Sequence, residues 1–403
     1  MQTELTASPG NRADRVVALD ALRGLAVVGI VPMNVIAFSM PPAAYFNPRV
    51  FGGDGPLEIA LWAVGFVLIE DKFRALFAMM FGAGVAILLG KASEHPLRGH
   101  YARMLVLFVI AMLHAVLLAN NDVLRVYAVA GLLLPFAVNW QTRTLLWSAG
   151  VIVLAQLAIS GWYAWDWLMA VGDPAAQEVA ESLYGENPSA LADAAARADA
   201  GLAERVAQRL GTLPQQSGFV VASLPSALAA MLVGMALWKN GLFAGEWSGE
   251  RIMRLARRCV VIAIPVLIGL AAWSITSGFD PIITTANALV WSAPFDLLLG
   301  IGWAALGMAA FARGGTLAER LAATGRLALT NYLATSLVFA AVFMGLGLDL
   351  FAQVTRGQAL LLGLIPIALM FSWSPLWLAR FRQGPAEWFW RSVAQGHILP
   401  FKR

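Results

Sequence analysis

Cysteine, histidine and charged residues are all scarce in this chain, and each scarcity excludes a class of protein. The 403 residues include one cysteine, Cys259, and only four histidines. A single cysteine excludes an intramolecular disulfide and a thiolate metal cluster, so we predict no metal site. Charged residues make up 13% of the chain, about half the share typical of soluble domains. The composition is therefore not that of an ordinary soluble enzyme.

Apolar residues dominate instead, at 59% of the chain. Segments of about 20 apolar residues can cross a bilayer as helices. Ten such segments are found, at 17–40, 57–90, 102–119, 123–139, 143–168, 217–238, 259–277, 285–311, 326–348 and 358–378. We predict an all-α fold, a polytopic membrane bundle of about ten helices surrounded by the lipid bilayer. The net charge of +4 is spread over short loops, so we predict no nucleic-acid partner.

Lysine and arginine are concentrated in alternate loops, which indicates the orientation of the bundle. If the long segment 57–90 crosses only once, most of the 28 cationic residues fall on the same side as both termini. The positive-inside rule then makes both termini cytoplasmic. The stretch 57–69 is predicted to be an interfacial or half helix that leads into a crossing over 72–89.

This orientation divides the chain into five predicted parts. They are a cytoplasmic N-terminal tail (1–16), transmembrane helices 1 to 5 (17–171), an external acidic helical insert (172–216), transmembrane helices 6 to 10 (217–378) and a cytoplasmic amphipathic C-terminal tail (379–403). The insert is punctuated by Pro174, Pro188 and Pro214. We interpret it as a solvated helical cap over the bundle, with a recognition domain as the alternative.

Asp20, Arg23 and Asn34 form a polar stripe on the first predicted span. Three residues advance about 300° around a helix and eleven advance about 1100°, so the three side chains share one face. An ionisable group at membrane depth costs about 2.5 to 3.5 kcal/mol, so such groups face a protein interior or a wet cavity. The stripe is therefore predicted to face inward.

His114 is the one histidine inside a predicted span, since His95, His100 and His397 fall in loops or the tail. This makes His114 the natural general base. The alternative is a packing role in which the ring bonds to a backbone carbonyl.

Asp296 follows Pro294 in the eighth predicted span and needs a partner at that depth. It either forms a structural ion pair or holds the His114 ring in one tautomer.

Arginines that open or enter spans are candidate phosphate ligands, because guanidinium binds phosphate with two parallel hydrogen bonds. Arg23, Arg103 and Arg326 are the first choices, with Lys72 and Arg74 at membrane depth as further candidates. Orientation in the membrane is the alternative explanation for most of them. The chain has no Gly-rich phosphate loop and no nucleophile elbow, which disfavours ATP-driven transport and serine hydrolysis. Gly82 and Gly84 are expected to permit close helix contact.

Five stretches carry a recognisable pattern: LDALRGLAVVGIVPMN at 19–34, KFRALFAMMFGAG at 72–84, LHAVLLANNDVLRVYAVAGLLLP at 113–135, GRLALTNYLATS at 325–336 and FRQGPAEWFWR at 381–391. Together they resemble the YeiB family of bacterial inner-membrane proteins, a family of unknown function. The resemblance runs from the first span to the tail. It implies a location in the bacterial inner (plasma) membrane.

The opening of this family is in turn similar to that of transmembrane acyltransferases, such as heparan-α-glucosaminide N-acetyltransferase and the sugar O-acyltransferases. The resemblance implies that cytoplasmic acyl-CoA, such as acetyl-CoA, donates an acyl group to an acceptor on the other side. One departure matters. The sugar O-acyltransferases carry a histidine where this chain has Asn34, and the heparan-type enzymes have asparagine there with a histidine shortly after it. No histidine lies between Asn34 and His95, so the motif points to His114 as the base.

The favoured hypothesis is a membrane-embedded acyltransferase with acyl-CoA as co-substrate. The acceptor is a small molecule or a glycan-linked or lipid-linked hydroxyl or amine. The predicted catalytic residues are His114, Asp122, Asp296 and Asn34, with Asp122 or Asp296 orienting the imidazole. The predicted phosphate ligands are Arg23, Arg103, Arg326, Lys72 and Arg74. The predicted acceptor ligands are Asp20, Tyr127 and Asn331.

Two alternatives remain open at the level of sequence. Ten spans fit a secondary transporter or flippase equally well, with Arg23, Asp296 and His114 binding a substrate or relaying protons. A non-enzymatic membrane scaffold predicts no continuous polar cavity behind Arg23. A homodimer is a further partner hypothesis that the sequence does not decide.

Overall fold

A computed structural model describes residues 12–90, 96–120, 122–345 and 347–403, and within these residues the chain is all-α. The helices are α1 (Arg12–Ser39), α2 (Pro56–Leu68), α3 (Lys72–Leu89), α4 (Pro96–Leu117), α5 (Val123–Ala137), α6 (Thr142–Met169), α7 (Pro174–Tyr184), α8 (Pro188–Asp199), α9 (Leu202–Gly211), α10 (Leu213–Lys239), α11 (Gly249–Thr276), α12 (Pro281–Ala286), α13 (Ala293–Phe311), α14 (Thr316–Arg326), α15 (Ala328–Phe343), α16 (Arg356–Leu362), α17 (Leu364–Arg380) and α18 (Pro385–Gln395). The described part contains no strand, only an isolated bridge between Phe381 and Lys402. The predicted fold class is confirmed.

Eight helical segments in the described residues are long and apolar enough to cross a membrane, or nine if the bent pair α14–α15 counts as one span. They match eight of the ten predicted segments, and the bent pair matches a ninth. The tenth match, α5, has 15 residues and is only about 22 Å long, shorter than the ~30 Å hydrocarbon core. These apolar helices indicate a lipid bilayer as the surroundings.

Two predicted spans differ from single straight helices. The segment 326–348 begins at an 84° bend between α14 and α15, and only α15 lies within it. A long-range contact stabilises the bend, because the carboxylate of Glu387 accepts hydrogen bonds from the backbone N–H groups of Leu329 and Thr330 at the start of α15. These donors are therefore satisfied without a preceding helical turn.

The segment 285–311 contains a π-helical turn, Asn287–Trp291, before α13 begins at Ala293. Pro294 has no N–H to donate to the preceding turn, which favours a new helix start at this point. Asp296 consequently lies in the first turn of α13, within the predicted span but near the start of its straight helix.

The predicted break near residue 70 is confirmed in its bounds. Helix α2 ends at Leu68, α3 begins at Lys72, and Asp71 between them has a left-handed backbone with φ 59°. An aspartate tolerates this conformation better than most residues do. Four ionisable residues are gathered at this break: Glu70, Asp71, Lys72 and Arg74.

The insert 172–216 contains the three short helices α7 to α9, and α10 begins at Leu213, a few residues earlier than predicted. Both nitrogens of the Arg209 fork donate to carbonyls at the end of α4, those of Val116 and Leu118, at 3.2 Å. The N–H of Gly345, just after α15, donates to the carbonyl of Ala198. The insert therefore covers the ends of α4 and α15.

Helices α3 and α10 pack backbone against backbone through glycine. A Cβ on Gly82 would lie 2.0 Å from the carbonyl oxygen of Met231, and one on Gly234 would lie 1.9 Å from that of Met79. No side chain fits at either position. Gly84 is different, because a Cβ there meets no atom within 4 Å. The predicted close contact therefore belongs to Gly82 and not to Gly84.

We expect Gly82→Ala to destabilise the bundle by about 1 to 3 kcal/mol, the cost typical of overpacking. The helices must separate to admit the methyl group. The matched control is Gly84→Ala, two residues along the same helix, which should unfold at or slightly above the wild-type midpoint because alanine favours the helix and meets no neighbour. Thermal unfolding in detergent measures both, and equal midpoints for the two variants would contradict the close packing.

Candidate functional site

A cavity of about 250 Å³ lies between α1, α3, α4, α5, α14, α15 and α18, and we call it the basic cavity. Four arginines from four different helices line it: Arg23, Arg103, Arg326 and Arg391. Arg326 and Arg391 are exposed, whereas Arg23 and Arg103 are half-buried. The cavity therefore has a cationic mouth that continues inward.

Two acids, Asp20 and Glu387, lie near these four arginines, so two of the four positive charges are left uncompensated. Asp20 pairs with Arg23 at 2.7 Å. Glu387 lines the cavity, but Leu329 and Thr330 of α15 already donate hydrogen bonds to its carboxylate.

Within the part of the chain that the structure describes, the guanidinium groups of Arg103 and Arg326 have no ion pair or hydrogen bond. They are available to an anion, and their role as phosphate ligands stays a prediction.

The other wall of the basic cavity is apolar. Side chains of α3 supply most of it, including Phe77, Met80 and Phe81. Cationic groups at one end and aromatic or aliphatic groups along the wall suit a ligand with an anionic head and an apolar or amide-bearing chain.

His100 is a cavity residue that the sequence reasoning missed. It was predicted to lie in a loop, but α4 begins at Pro96, so His100 lies in its second turn and is fully buried. Its Nε2 lies 2.8 Å from the carbonyl oxygen of Gly131 on α5. A proline at the first helical position is a helix-start signal, and it could have extended the predicted span to include His100.

The C-terminal segment contributes directly to the site. Helix α18 was predicted to be part of an amphipathic tail, yet Glu387, Trp390 and Arg391 line the basic cavity. The indole Nε1 of Trp390 donates to the carbonyl of Arg103 at 2.7 Å, which holds α18 against α4. Burial raises the pKa of Glu387 above the usual glutamate value, while hydrogen bonds from Thr330 act in the opposite direction. Helix α18 thus forms one side of the cavity.

A second cavity of about 70 Å³ follows the basic cavity along α3. It meets α3 between Asp71 and Ala78, whereas the basic cavity meets the same helix between Phe77 and Leu88. The two cavities therefore lie end to end along the bundle. The polar groups of the second cavity are Asp71, Arg74, Gln156, Ser160, Ser223, Ser226 and Asp296, together with Tyr127.

Tyr127 of α5 lines both cavities and separates them. Its hydroxyl donates to the carbonyl of Arg74 at 2.8 Å. Its ring packs against Phe77 and Phe81, with both centroid distances at 5.7 Å. These three aromatic rings pack together where the two cavities come closest along α3.

Lys72 and Arg74 were predicted to bind phosphate with the other cations, and the structure places them elsewhere. Lys72 Nζ lies 2.6 Å from Asp296 Oδ1, and Arg74 pairs with Asp71 at 2.7 Å. Both pairs lie at the second cavity or next to it. Their charges are neutralised locally, so neither residue belongs to the cationic mouth.

We expect Lys72→Met to destabilise the protein by about 3 to 5 kcal/mol, because it leaves the carboxylate of Asp296 unpaired. The side chains of this pair are only 1% and 6% exposed. The matched double variant Lys72→Met with Asp296→Leu removes both charges and should recover most of the loss. Thermal unfolding in detergent is the measurement. A double variant no more stable than the single one would show that the two charges do not compensate each other.

His114 lies next to Asp122, as one of the two predicted pairings requires. The imidazole Nδ1 is 3.0 Å from Asp122 Oδ2, and both side chains are buried. Asp122 Oδ1 accepts hydrogen bonds from the hydroxyl of Tyr332 and the N–H of Leu124, both at 2.9 Å. Asp296 is committed to Lys72, so Asp122 is the acid beside the imidazole.

The basic cavity does not reach His114, which lies in the lining of neither cavity. In the described residues, neither cavity connects the arginines directly with this imidazole. The inner wall of the basic cavity consists of Leu124 and Tyr127, and Leu124 is only two residues from Asp122. The imidazole and carboxylate lie behind this wall.

Three other predicted site residues lie outside both cavities: Asn34, Asp20 and Asn331. Asn34 is half-buried and has no hydrogen bond among the described residues. Asp20 is bound to Arg23.

The amide of Asn331 is fully used by the protein: it donates to Thr324 and Ser374 and accepts from Trp373. Its predicted role as an acceptor ligand is replaced by a structural one that joins α14, α15 and α17. His95 lies outside the described residues. No group of three or more histidine, cysteine or acidic side chains that could hold a metal ion occurs in the described ranges.

Comparisons with known proteins give a family and no function. Residues 237–397 match a family model described as "Protein of unknown function (DUF418)". The chain is 32% identical to "Uncharacterized protein YeiB" of Escherichia coli (strain K12) over 396 residues, covering 94% of this chain and 96% of that protein. It is 27% identical to "Uncharacterized protein YxaH" of Bacillus subtilis (strain 168), with 94% of each covered. No solved structure matches the chain. This chain, with its arginine-lined cavity, therefore belongs to the YeiB family.

Proposed function

We propose that this protein is an acyl-CoA-dependent membrane acyltransferase whose basic cavity holds the phosphate groups of the coenzyme. The observation that carries the proposal is the convergence of four arginines, from four helices, on one cavity with few free acids. Guanidinium groups gathered in this way are costly unless an anion neutralises them, and phosphate is the anion whose geometry they match best.

The size of the basic cavity limits how the coenzyme would lie. A volume of about 250 Å³ is below the range of about 300 to 1,000 Å³ typical of pockets for drug-sized ligands. The cavity therefore holds part of the coenzyme and not all of it. The phosphates would contact Arg103 and Arg326, and the slender thiol-bearing arm would follow the apolar wall formed by Phe77 and Phe81 toward Tyr127.

The transfer step would use His114 and Asp122. An acceptor hydroxyl or amine attacks the thioester carbonyl, the carbon–sulfur bond breaks, and the thiolate of the coenzyme leaves. His114 takes the proton from the acceptor and passes it to the thiolate, while Asp122 stabilises the imidazolium in between. Because the imidazole lies behind Leu124 and Tyr127, this step requires these side chains to move aside.

The direct test is the release of free coenzyme A from acetyl-CoA by the purified protein. A cell-derived acceptor pool, taken as a protein-free extract, should accelerate the release and accumulate acetyl groups. If coenzyme A binds to the protein but the acetyl group of acetyl-CoA is never transferred, the proposed anion site is retained and the proposed transfer reaction is wrong.

A secondary transporter is the second candidate, and one specific observation favours it. Two cavities lie along α3 and share Tyr127 in their linings, as a permeation path closed at that residue would. Proteoliposomes distinguish the two functions. A transporter moves its substrate in the complete absence of an acyl donor, whereas the enzyme modifies an acceptor only while acetyl-CoA is consumed.

A further inference from the structure

His100 is the polar side chain buried most completely in the basic cavity, with 0% of its surface exposed. A carbonyl oxygen can only accept, so the 2.8 Å contact with Gly131 places a hydrogen on Nε2. The other ring nitrogen, Nδ1, is buried and has no hydrogen-bond partner among the described residues. The neutral ring thus presents an unused lone pair, and the protonated ring would present an unused donor.

The charged groups around His100 disfavour that proton while the cavity holds no anion. They are Arg23 with its partner Asp20 on α1, Arg103 on the same helix as His100, Arg326 on α14, and Arg391 with Glu387 on α18. The α3 wall contributes no titratable group, and α5 contributes only Tyr127. Cations therefore outnumber acids, and a further cation at His100 would be repelled.

We propose that His100 is a proton-linked ligand of the phosphate groups that enter the basic cavity. A bound anion offsets the arginine charge, His100 takes one proton from solvent at Nδ1, and the new Nδ1–H donates to a phosphate oxygen. No covalent bond forms or breaks in this step. The inference rests on the proposed function, because it takes the anion to be the diphosphate bridge of the coenzyme.

The sign of the pH dependence follows from the proton count. The bound state holds one more proton than the free state, so affinity rises as the pH falls, by at most about tenfold per pH unit. The change in affinity should occur near neutral pH, where imidazole side chains ordinarily gain or lose their charge. Arginine contacts alone would give no such dependence, since guanidinium stays charged throughout.

Calorimetric titration with dephospho-coenzyme A is the test, because its diphosphate bridge stays fully ionised near neutral pH and contributes no proton of its own. Titrations in two buffers with different heats of ionisation give the number of protons taken up on binding. We expect up to one proton for the wild-type protein and none for His100→Gln, which retains a donor toward Gly131. The matched control is His397→Gln, at an exposed histidine in the tail, which should take up protons as the wild type does.

The outcomes separate the role of His100 from the proposed function. Binding by the wild-type protein without proton uptake would overturn the role of His100 and leave the anion site intact. Undiminished uptake in His100→Gln would do the same. A wild-type protein that fails to bind dephospho-coenzyme A and coenzyme A alike would overturn the proposed function, and this inference with it.

Discussion

The double variant Arg103→Gln with Arg326→Gln is expected to weaken coenzyme A binding by about 10²- to 10⁴-fold. Each guanidinium faces the basic cavity with no protein partner among the described residues, so its hydrogen bonds are free for the ligand. A hydrogen bond to a charged group contributes about 1.5 to 3 kcal/mol, and about 1.4 kcal/mol corresponds to tenfold in affinity. Calorimetric titration in detergent or nanodiscs measures the loss.

Arg320→Gln is the matched control for that double variant. Arg320 is also an exposed arginine of α14, six residues before Arg326, but it does not line the basic cavity. Its replacement removes one positive charge from the same helix and should leave the affinity within about twofold, as for a screened surface charge. Equal losses for Arg320→Gln and Arg326→Gln would mean that general surface charge, and not the cavity, attracts the coenzyme.

The second large effect is expected for His114→Ala, which should slow acyl transfer by about 10²- to 10⁴-fold, the usual contribution of a general base. Because His114 lies outside the basic cavity, coenzyme A affinity should stay at the wild-type value. Release of coenzyme A from acetyl-CoA measures the rate, and calorimetry measures the affinity of the same preparation.

Asp122→Asn tests the partner of that imidazole. The amide keeps the hydrogen bonds from Tyr332 and Leu124 possible but cannot stabilise an imidazolium, so the rate should fall without loss of the fold. Wild-type rates in both His114→Ala and Asp122→Asn would remove this pair from the reaction and leave it a packing role in the bundle.

The fold was largely predictable because apolar length is a local property of the chain. The break between α2 and α3 was also predictable, since Glu70, Asp71 and Lys72 interrupt an apolar run too long for one crossing. The 84° bend at Leu327 was not, because it depends on the carboxylate of Glu387, nearly 60 residues away. A hydropathy pattern contains no information about such a contact.

The cationic part of the candidate site was predictable from the sequence, because it depends on where the predicted spans end. Arg23, Arg103 and Arg326 share a cavity because each lies at the end of a span on the side that carries most of the positive charge. The partner of Asp296 could not be chosen from the sequence, because Arg23, Lys72, Arg74 and His114 could each have supplied it. Only the packing of α13 against α3 selects Lys72.

The contribution of the C-terminal helix α18 to the basic cavity was not predicted. Its sequence predicts an amphipathic surface helix, and it is one, yet its inner face closes the basic cavity through Trp390 and Arg391. Amphipathicity indicates that one face is covered but not which helices cover it. Burial of Glu387 against α15 decides the docking position.

The central claim, that the arginine-lined cavity holds the phosphates of a coenzyme, is tested most directly by an experimental structure determined with coenzyme A bound. The claim predicts density for the diphosphate within hydrogen-bond distance of Arg103 and Arg326, with the thiol arm directed toward Tyr127. A basic cavity that stays free of ligand density, while coenzyme A binds at another surface or not at all, would contradict it.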